Sequence, residues 1–131
     1  APRRGSQAAI WNAEFAIDRG YALAVFHSAD VAPDRPGRDG VFPHYPGFDW
    51  GVIAAWAWGL SRAADYLVTD PAIDRTRLAV VGHSRNGKAA RLAVRSHGDP
   101  LTAVEQAADG VLASTEAVAT LLVLLALAFT T

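Results

Sequence analysis

The chain has 131 residues, about half of them apolar, which is enough to build the core of one ordinary domain. Its 12 Lys and Arg residues nearly balance its 13 Asp and Glu residues, so no basic surplus indicates binding to nucleic acid or to an anionic membrane. With no cysteine, disulfides and thiolate chemistry are excluded, whereas four histidines and many carboxylates leave acid–base chemistry open.

The first predicted element is a helix over residues 7–18, with Ser6 as its N-cap. Its apolar residues recur at helical spacing and form one face: Ala9, Ile10, Ala13, Ala16 and Ile17. Gly20 ends the helix. Residues 1–15 include two arginines but no apolar run of the length that a signal peptide needs, so no export signal is predicted there.

A short, mostly apolar strand is predicted next, YALAVF at residues 21–26, of the kind found in a sheet covered on both faces. Residues 28–49 are predicted to form a loop, because prolines and glycines are spread along them: Pro33, Pro36, Gly37, Gly40, Pro43, Pro46 and Gly47. A loop of this length inside a compact domain is usually functional or disordered.

Two helices and one more strand follow. Asp49 is placed to cap a helix over residues 50–69, which is apolar nearly all round and therefore predicted to be buried. Residues 77–81, RLAVV, form a second predicted buried strand, and a helix over residues 85–95 follows it. The alternation of helices and strands predicts an α/β fold with a parallel sheet.

The turn between the second strand and the last helix carries the clearest chemical signal. It reads GHSRNG from Gly82 to Gly87, one residue longer than the G-x-S-x-G pattern of the nucleophile turn in α/β hydrolases. In that pattern a sharp turn holds a serine hydroxyl clear of the sheet, and the first N–H groups of the helix point at the developing oxyanion. Ser84 is therefore either a nucleophile or an ordinary N-cap serine.

Two cations flank this serine, Arg85 and Lys88. Both lie in the first turn of the predicted helix, where the helix dipole disfavours positive charge. Either an anion or a developing oxyanion is their partner, or they are two solvated cations on the helix surface.

The C-terminal part has a weaker pattern. Residues 97–131 are rich in Ala and Leu, and we predict a divergent helical tail there. It is separate from a partial α/β domain over residues 1–96, which contains the candidate nucleophile turn at residues 82–88. Residues 117–129 carry no charge, but they are short for a membrane span, which needs about 20 apolar residues. A buried core helix or an interfacial segment fits them better.

The segment GHSRNGK, together with AWAWGLSRAADYLVTDPAIDRTRLAVV before it, resembles the bacterial glucuronoyl esterases, carbohydrate esterase family 15. The resemblance runs from about Arg19 to about Val94 and is strongest from Asp49 to Lys88. It implies a partial α/β-hydrolase fold, with parallel strands flanked by helices, and a serine esterase that needs no metal or other cofactor.

The resemblance also implies a role for each residue of the motif. Ser84 would be the nucleophile, Arg85 would stabilise the tetrahedral oxyanion, and Lys88 would bind hydroxyls of the glucuronoyl ring. The implied substrate is the ester between 4-O-methyl-glucuronic acid on xylan and lignin alcohols. Members of this family are usually secreted or periplasmic.

A serine hydrolase also needs a base and an orienting acid, which in this family follow the nucleophile along the chain. After about Ser96 the sequence departs from the family, and neither residue can be identified. His97 would lie about 20 Å from Ser84 along a continuous helix. His83 is predicted to pack beside the turn or line the site. His27 and His44 either border the pocket or are loop histidines in solvent, and the second interpretation is favoured.

The sequence therefore leaves three interpretations. The first is a truncated or frame-shifted glucuronoyl esterase. The second is an α/β hydrolase of another specificity, such as an acetylxylan esterase. The third is an inactive α/β domain without a complete triad.

Overall fold

The computed structural model describes residues 13–96, 101–105 and 121–128. In chain order its elements are α1 (Ala13–Ile17), β1 (Tyr21–His27), α2 (Ser28–Val31), a 3-10 helix (Phe42–His44), α3 (Val52–Leu67), β2 (Ile73–Gly82), α4 (Arg85–Ser96), β3 (Leu101–Glu105) and β4 (Leu121–Ala128). The described part is thus a mixed α/β structure.

The described strands form one mixed sheet in the order β1-β4-β2-β3. Strand β2 pairs with β3 in parallel, whereas β4 is antiparallel to both β1 and β2. The two predicted strands, β1 and β2, therefore run in one direction, and β3 shares it, whereas β4 runs against them. The prediction of a purely parallel sheet is wrong for the described strands, because β4 lies antiparallel between β1 and β2. The carboxyl ends of β1 and β2 consequently open at the same edge of the sheet, with β4 between them.

Helices α3 and α4 pack against each other, and their small residues form much of the core. Trp56 and Leu60 of α3 are almost completely buried, as are Leu78 and Val80 of β2. Along β1 the alternate residues Ala22, Ala24 and Phe26 pack against this core. The prediction that the helix after the long loop is buried is confirmed for its middle, where the buried residues run from Ala55 to Ala64, but Tyr66 near its end is exposed.

The boundaries of the predicted strands and of the two long helices hold within a few residues, but one predicted helix cap does not. Helix α3 begins at Val52 after Gly51 in the N-cap position, and no side chain caps it. The prediction that Asp49 caps this helix is therefore wrong. Strand β2 begins at Ile73, four residues before its predicted start, with a register shift between Ile73 and Leu78. The predicted cap Ser6 and the first half of the predicted N-terminal helix lie outside the described residues.

The predicted helical tail is wrong where the structure describes it, because Leu101–Glu105 and Leu121–Ala128 are strands. An apolar run such as LLVLLALA has neither a helical nor an alternating period, so its pattern cannot separate a buried helix from a buried strand. Residues 97–100, 106–120 and 129–131 lie outside the described residues, and the division of the chain at residue 96 stays a prediction. Among the described helices, none is both long enough and apolar enough to span a bilayer.

Candidate active site

The candidate site begins where β2 turns into α4. Only His83 and Ser84 separate the last strand residue, Gly82, from the first helical residue, Arg85. A side chain at Gly82 would collide with the helix, since a Cβ built there lies 2.4 Å from the carbonyl oxygen of Asn86 and 2.8 Å from the backbone nitrogen of Gly87. The helix can start this close to the strand only because residue 82 is a glycine.

Ser84 itself has an unusual backbone. Its φ is 54°, and it is the only non-glycine residue with positive φ among the described residues. Its carbonyl oxygen accepts the N–H of Lys88, four residues on, at 3.2 Å. An N-cap serine normally has extended backbone, and left-handed φ at a non-glycine residue is worth about 1–3 kcal/mol of strain. A strained strand-to-helix turn is typical of a nucleophile elbow, so this geometry favours that interpretation over a simple cap.

The Ser84 side chain is presented outward. Ser84 is exposed, whereas Gly82 and Asn86 on either side of it are buried. The residues that flank the turn therefore lie in the core, whereas Ser84 lies at the edge of the sheet where ligands bind in α/β proteins. His83 is half-buried beside it.

Arg85 does not stand alone at the helix N-terminus. Its Nη1 donates to Oδ2 of Asp34, which belongs to the loop that follows β1. This contact joins segments that follow the carboxyl ends of two different strands. Nothing in the sequence around Asp34 marks it as a partner of Arg85.

Lys88 lies one helical turn after Arg85 and is exposed. Residues three apart on a helix are neighbours on its surface, so the two cations share one side of α4 close to Ser84. The predicted trio of Ser84, Arg85 and Lys88 is thus collected at one end of one helix. The roles given to the three residues stay predictions.

None of the histidines in the described part of the chain can be assigned as the base of Ser84. Nδ1 of His27 lies 3.2 Å from Oδ1 of Asp30, in an exposed pair at the carboxyl end of β1. His44 is exposed in the 3-10 helix, and His97 lies outside the described residues. In the described part of the chain no three His, Asp or Glu side chains are grouped as a metal site would require.

The second half of the long loop is built on aromatic rings rather than on regular structure. Five rings from the loop and from α3 contact one another mostly edge to face: Phe42, Tyr45, Phe48, Trp50 and Trp58. The Tyr45 ring lies 5.5 Å from the centroids of both tryptophan rings, within the range of favourable aromatic pairs. The segment that sequence alone left as functional or disordered is therefore packed against α3.

Comparisons with known proteins agree on one family. A family model described as glucuronyl esterase of fungi matches residues 7–95, more than half of the chain. Carbohydrate esterase MZ0003, from an unknown prokaryotic organism, is 44% identical over 94 residues, which are 65% of this chain and 22% of that protein. A 4-O-methyl-glucuronoyl methylesterase 1 from Sodiomyces alcalophilus is 39% identical over 84 residues, 59% of this chain and 17% of that protein.

A third relative, the 4-O-methyl-glucuronoyl methylesterase of Podospora anserina, is 38% identical over 91 residues, 63% of this chain and 19% of that protein. The chain thus spans about a fifth of the length of the curated relatives it matches. No solved structure matches the chain at a significant level.

Proposed function

The chain belongs to the glucuronyl esterase family, and from that premise we propose that it carries the nucleophile of a serine esterase acting on glucuronoyl esters of xylan. The observation that carries this proposal is the left-handed backbone of Ser84 at a turn that only Gly82 permits. The names of the relatives support the substrate class, since two of those described above are 4-O-methyl-glucuronoyl methylesterases. We place the domain in the α/β-hydrolase fold because an elbow of this kind follows a strand that shares its direction with β1 and β3.

In the proposed reaction Ser84 Oγ attacks the carbonyl carbon of the ester and gives its proton to a general base. The carbonyl oxygen of the ester becomes an oxyanion. When the tetrahedral intermediate collapses, the bond to the alkoxy oxygen breaks and the alcohol leaves with the proton that the base returns to it. Water then hydrolyses the acyl-enzyme and releases the uronic acid. The base and its orienting acid are assigned to none of the described histidines and carboxylates.

Arg85 is proposed to stabilise the oxyanion. Arg85 follows Ser84 directly and is the first residue of α4, so its backbone N–H is among the unbonded donors of the helix terminus. Lys88 is proposed to bind ring hydroxyls of the uronic acid, because an exposed ammonium one turn further along the same side can donate to several oxygens.

The first test replaces the nucleophile. Ser84→Ala in the complete gene product should abolish hydrolysis of methyl glucuronate, and the wild-type protein should react with a fluorophosphonate probe at Ser84. Ser96→Ala is the matched control, since Ser96 lies at the far end of the same helix and its hydroxyl donates to the carbonyl oxygen of Leu92. Turnover retained in Ser84→Ala would refute the proposed nucleophile.

The second test concerns the oxyanion and the substrate. Arg85→Ala should lower kcat by about 10²- to 10³-fold if Arg85 donates to the oxyanion. An unchanged kcat would rule that role out. Assays of methyl glucuronate against acetylated xylan separate a glucuronoyl esterase from an acetylxylan esterase, because the two substrates present different acyl groups to the same serine.

A further inference from the structure

An ion pair links the loop after β1 to the start of α4. The donor is Nη1 of Arg85 and the acceptor is Oδ2 of Asp34, 51 residues earlier in the chain. Both side chains are partly exposed, 58% for Arg85 and 41% for Asp34. Exposed ion pairs contribute little to stability, so the consequence of this one lies in where it holds the guanidinium.

Two properties of Arg85 make a fixed partner favourable. Its long, exposed side chain has many rotamers, and its charge lies at the helix end that disfavours cations. A carboxylate bonded to one arm of the guanidinium reduces both problems, and the fork of an arginine has five N–H donors in total, enough to serve a second acceptor. Resting on the function proposed above, we propose that Asp34 is a positioning residue that holds the Arg85 guanidinium beside Ser84 for the oxyanion.

The backbone around Asp34 is itself restrained. Asp34 is the central residue of a three-residue turn, in which the N–H of Arg35 donates to the carbonyl oxygen of Pro33 at 2.9 Å. Pro33 and Pro36 fix the φ angle on either side of it. Just before this turn, the fully buried Ala32 accepts a 2.7 Å hydrogen bond from Nε1 of Trp56 in the core.

The loop also closes on itself after Asp34. The N–H of Val41 donates to the carbonyl oxygen of Val31 at 2.8 Å. Gly40 makes this closure possible, because its φ is 70° and a Cβ there would lie 2.2 Å from that same carbonyl oxygen. Asp34 therefore projects from a loop fastened at both ends, and the carboxylate is in place before a substrate arrives.

The same loop contains a matched control. Asp39 accepts from Nη2 of Arg35 at 2.6 Å, and these side chains are 56% and 67% exposed. This second ion pair resembles the first in exposure and in residue types, but it joins two residues of the loop and does not reach α4. Asp39→Ala removes a loop carboxylate without touching Arg85.

The kinetic test uses the complete gene product and methyl glucuronate. Asp34→Ala should lower kcat about 10-fold with little change in KM, since a misplaced donor weakens the transition state more than the ground state. Asp34→Asn keeps an acceptor oxygen and should give an intermediate kcat. Asp39→Ala should match the wild type, and an equal kcat for Asp34→Ala and Asp39→Ala would overturn the proposal.

A double mutant separates positioning from any independent role. In an Arg85→Ala background, Asp34→Ala should cause no further loss of kcat, because Asp34 acts only through Arg85. A further 10-fold loss would overturn the proposal. Ser84→Ala separates failure of the proposed function from failure of the positioning role. If Ser84→Ala retains turnover, the proposed function itself fails. If Ser84→Ala is inactive and Asp34→Ala has normal kcat, only the positioning role fails.

A spectroscopic measurement on the chain itself needs no turnover. A held guanidinium rotates slowly and gives resolved side-chain N–H signals in proton–nitrogen NMR spectra. Those of Arg85 should be resolved in the wild type and in Asp39→Ala and lost in Asp34→Ala. Unchanged Arg85 signals in Asp34→Ala would overturn the proposal even where a substitution disturbs activity for another reason.

Discussion

Replacing Gly82 by alanine tests the elbow with a single methyl group. The added Cβ would lie 2.4 Å from the carbonyl oxygen of Asn86, 2.5 Å from its carbonyl carbon and 2.8 Å from the nitrogen of Gly87. All three atoms belong to the backbone of the first turn of α4, so no side chain can rotate away to make room. The strand and the helix must separate.

The size of the effect follows from these distances. Ordinary contacts at a Cβ begin near 3.4 Å, so the first turn of α4 must move by about 1 Å. Overpacking of this kind costs about 1–3 kcal/mol, and we expect about 3 kcal/mol because backbone rather than side chain has to yield. Ser84 moves with the turn, and a shift of about 1 Å at a reacting group lowers the rate about 10²-fold.

The assay is urea unfolding followed by tryptophan fluorescence, together with kcat for methyl glucuronate in the complete gene product. Gly47→Ala is the control, since a Cβ at Gly47 meets nothing within 4 Å. It should change the free energy of unfolding by no more than about 0.5 kcal/mol. The reasoning is refuted if Gly82→Ala unfolds within about 0.5 kcal/mol of Gly47→Ala.

Two further predictions concern hydrogen bonds away from the elbow. The hydroxyl and the backbone N–H of Thr76 both donate to the Asp74 carboxylate and lower its pKa. The folded state therefore binds a proton at Asp74 less readily than the unfolded state does. The stability that this group contributes is present above about pH 4 and is lost as the pH falls through the folded pKa. Thr76→Val raises that pKa towards its ordinary value, and the stability lost between pH 6 and pH 3 in urea unfolding should shrink; an unchanged loss would contradict the assignment. Trp56→Phe leaves the buried carbonyl of Ala32 without its donor and should reduce the free energy of unfolding by about 1–3 kcal/mol, and a urea midpoint equal to that of the wild type would show that the bond is dispensable.

The strand-to-helix turn at Ser84 was predictable because its determinants are contiguous. Gly82, Ser84, Arg85 and Lys88 lie within seven residues, and the steric demand for glycine before the helix acts between neighbours. The order of β1, α3, β2 and α4 was predictable for a similar reason, since the apolar pattern of each element lies within its own length. The short α2 and the 3-10 helix lie inside the predicted loop and were missed, and Val25 of β1 is exposed, so the expected cover on both faces of that strand is wrong. The positive φ of Ser84 could be seen only in the structure, because serine is also a common N-cap residue with extended backbone.

Asp34 shows what sequence could not supply. The stretch from His27 to Trp50 contains four aspartates, Asp30, Asp34, Asp39 and Asp49, and nothing in their neighbours says which one meets Arg85. The contact spans 51 residues and depends on two strands opening at one edge of the sheet. Strand β4 was missed for a different reason. It lies between β1 and β2, and a strand inside a sheet need not alternate apolar and polar residues, so the sequence pattern does not reveal it.

A strained serine persists only where the surrounding structure over-determines it, and here the support comes from both sides of the turn. On one side Gly82 ends a strand paired with β3 up to that residue. On the other, Ala89, Ala90 and Ala93 of α4 lie in the buried core, where methyl-sized side chains let the helix pack closely against α3. The helix can neither slide nor tilt to relax Ser84 without opening that contact. The backbone of Ser84 is therefore held by α3, β2 and α4 themselves.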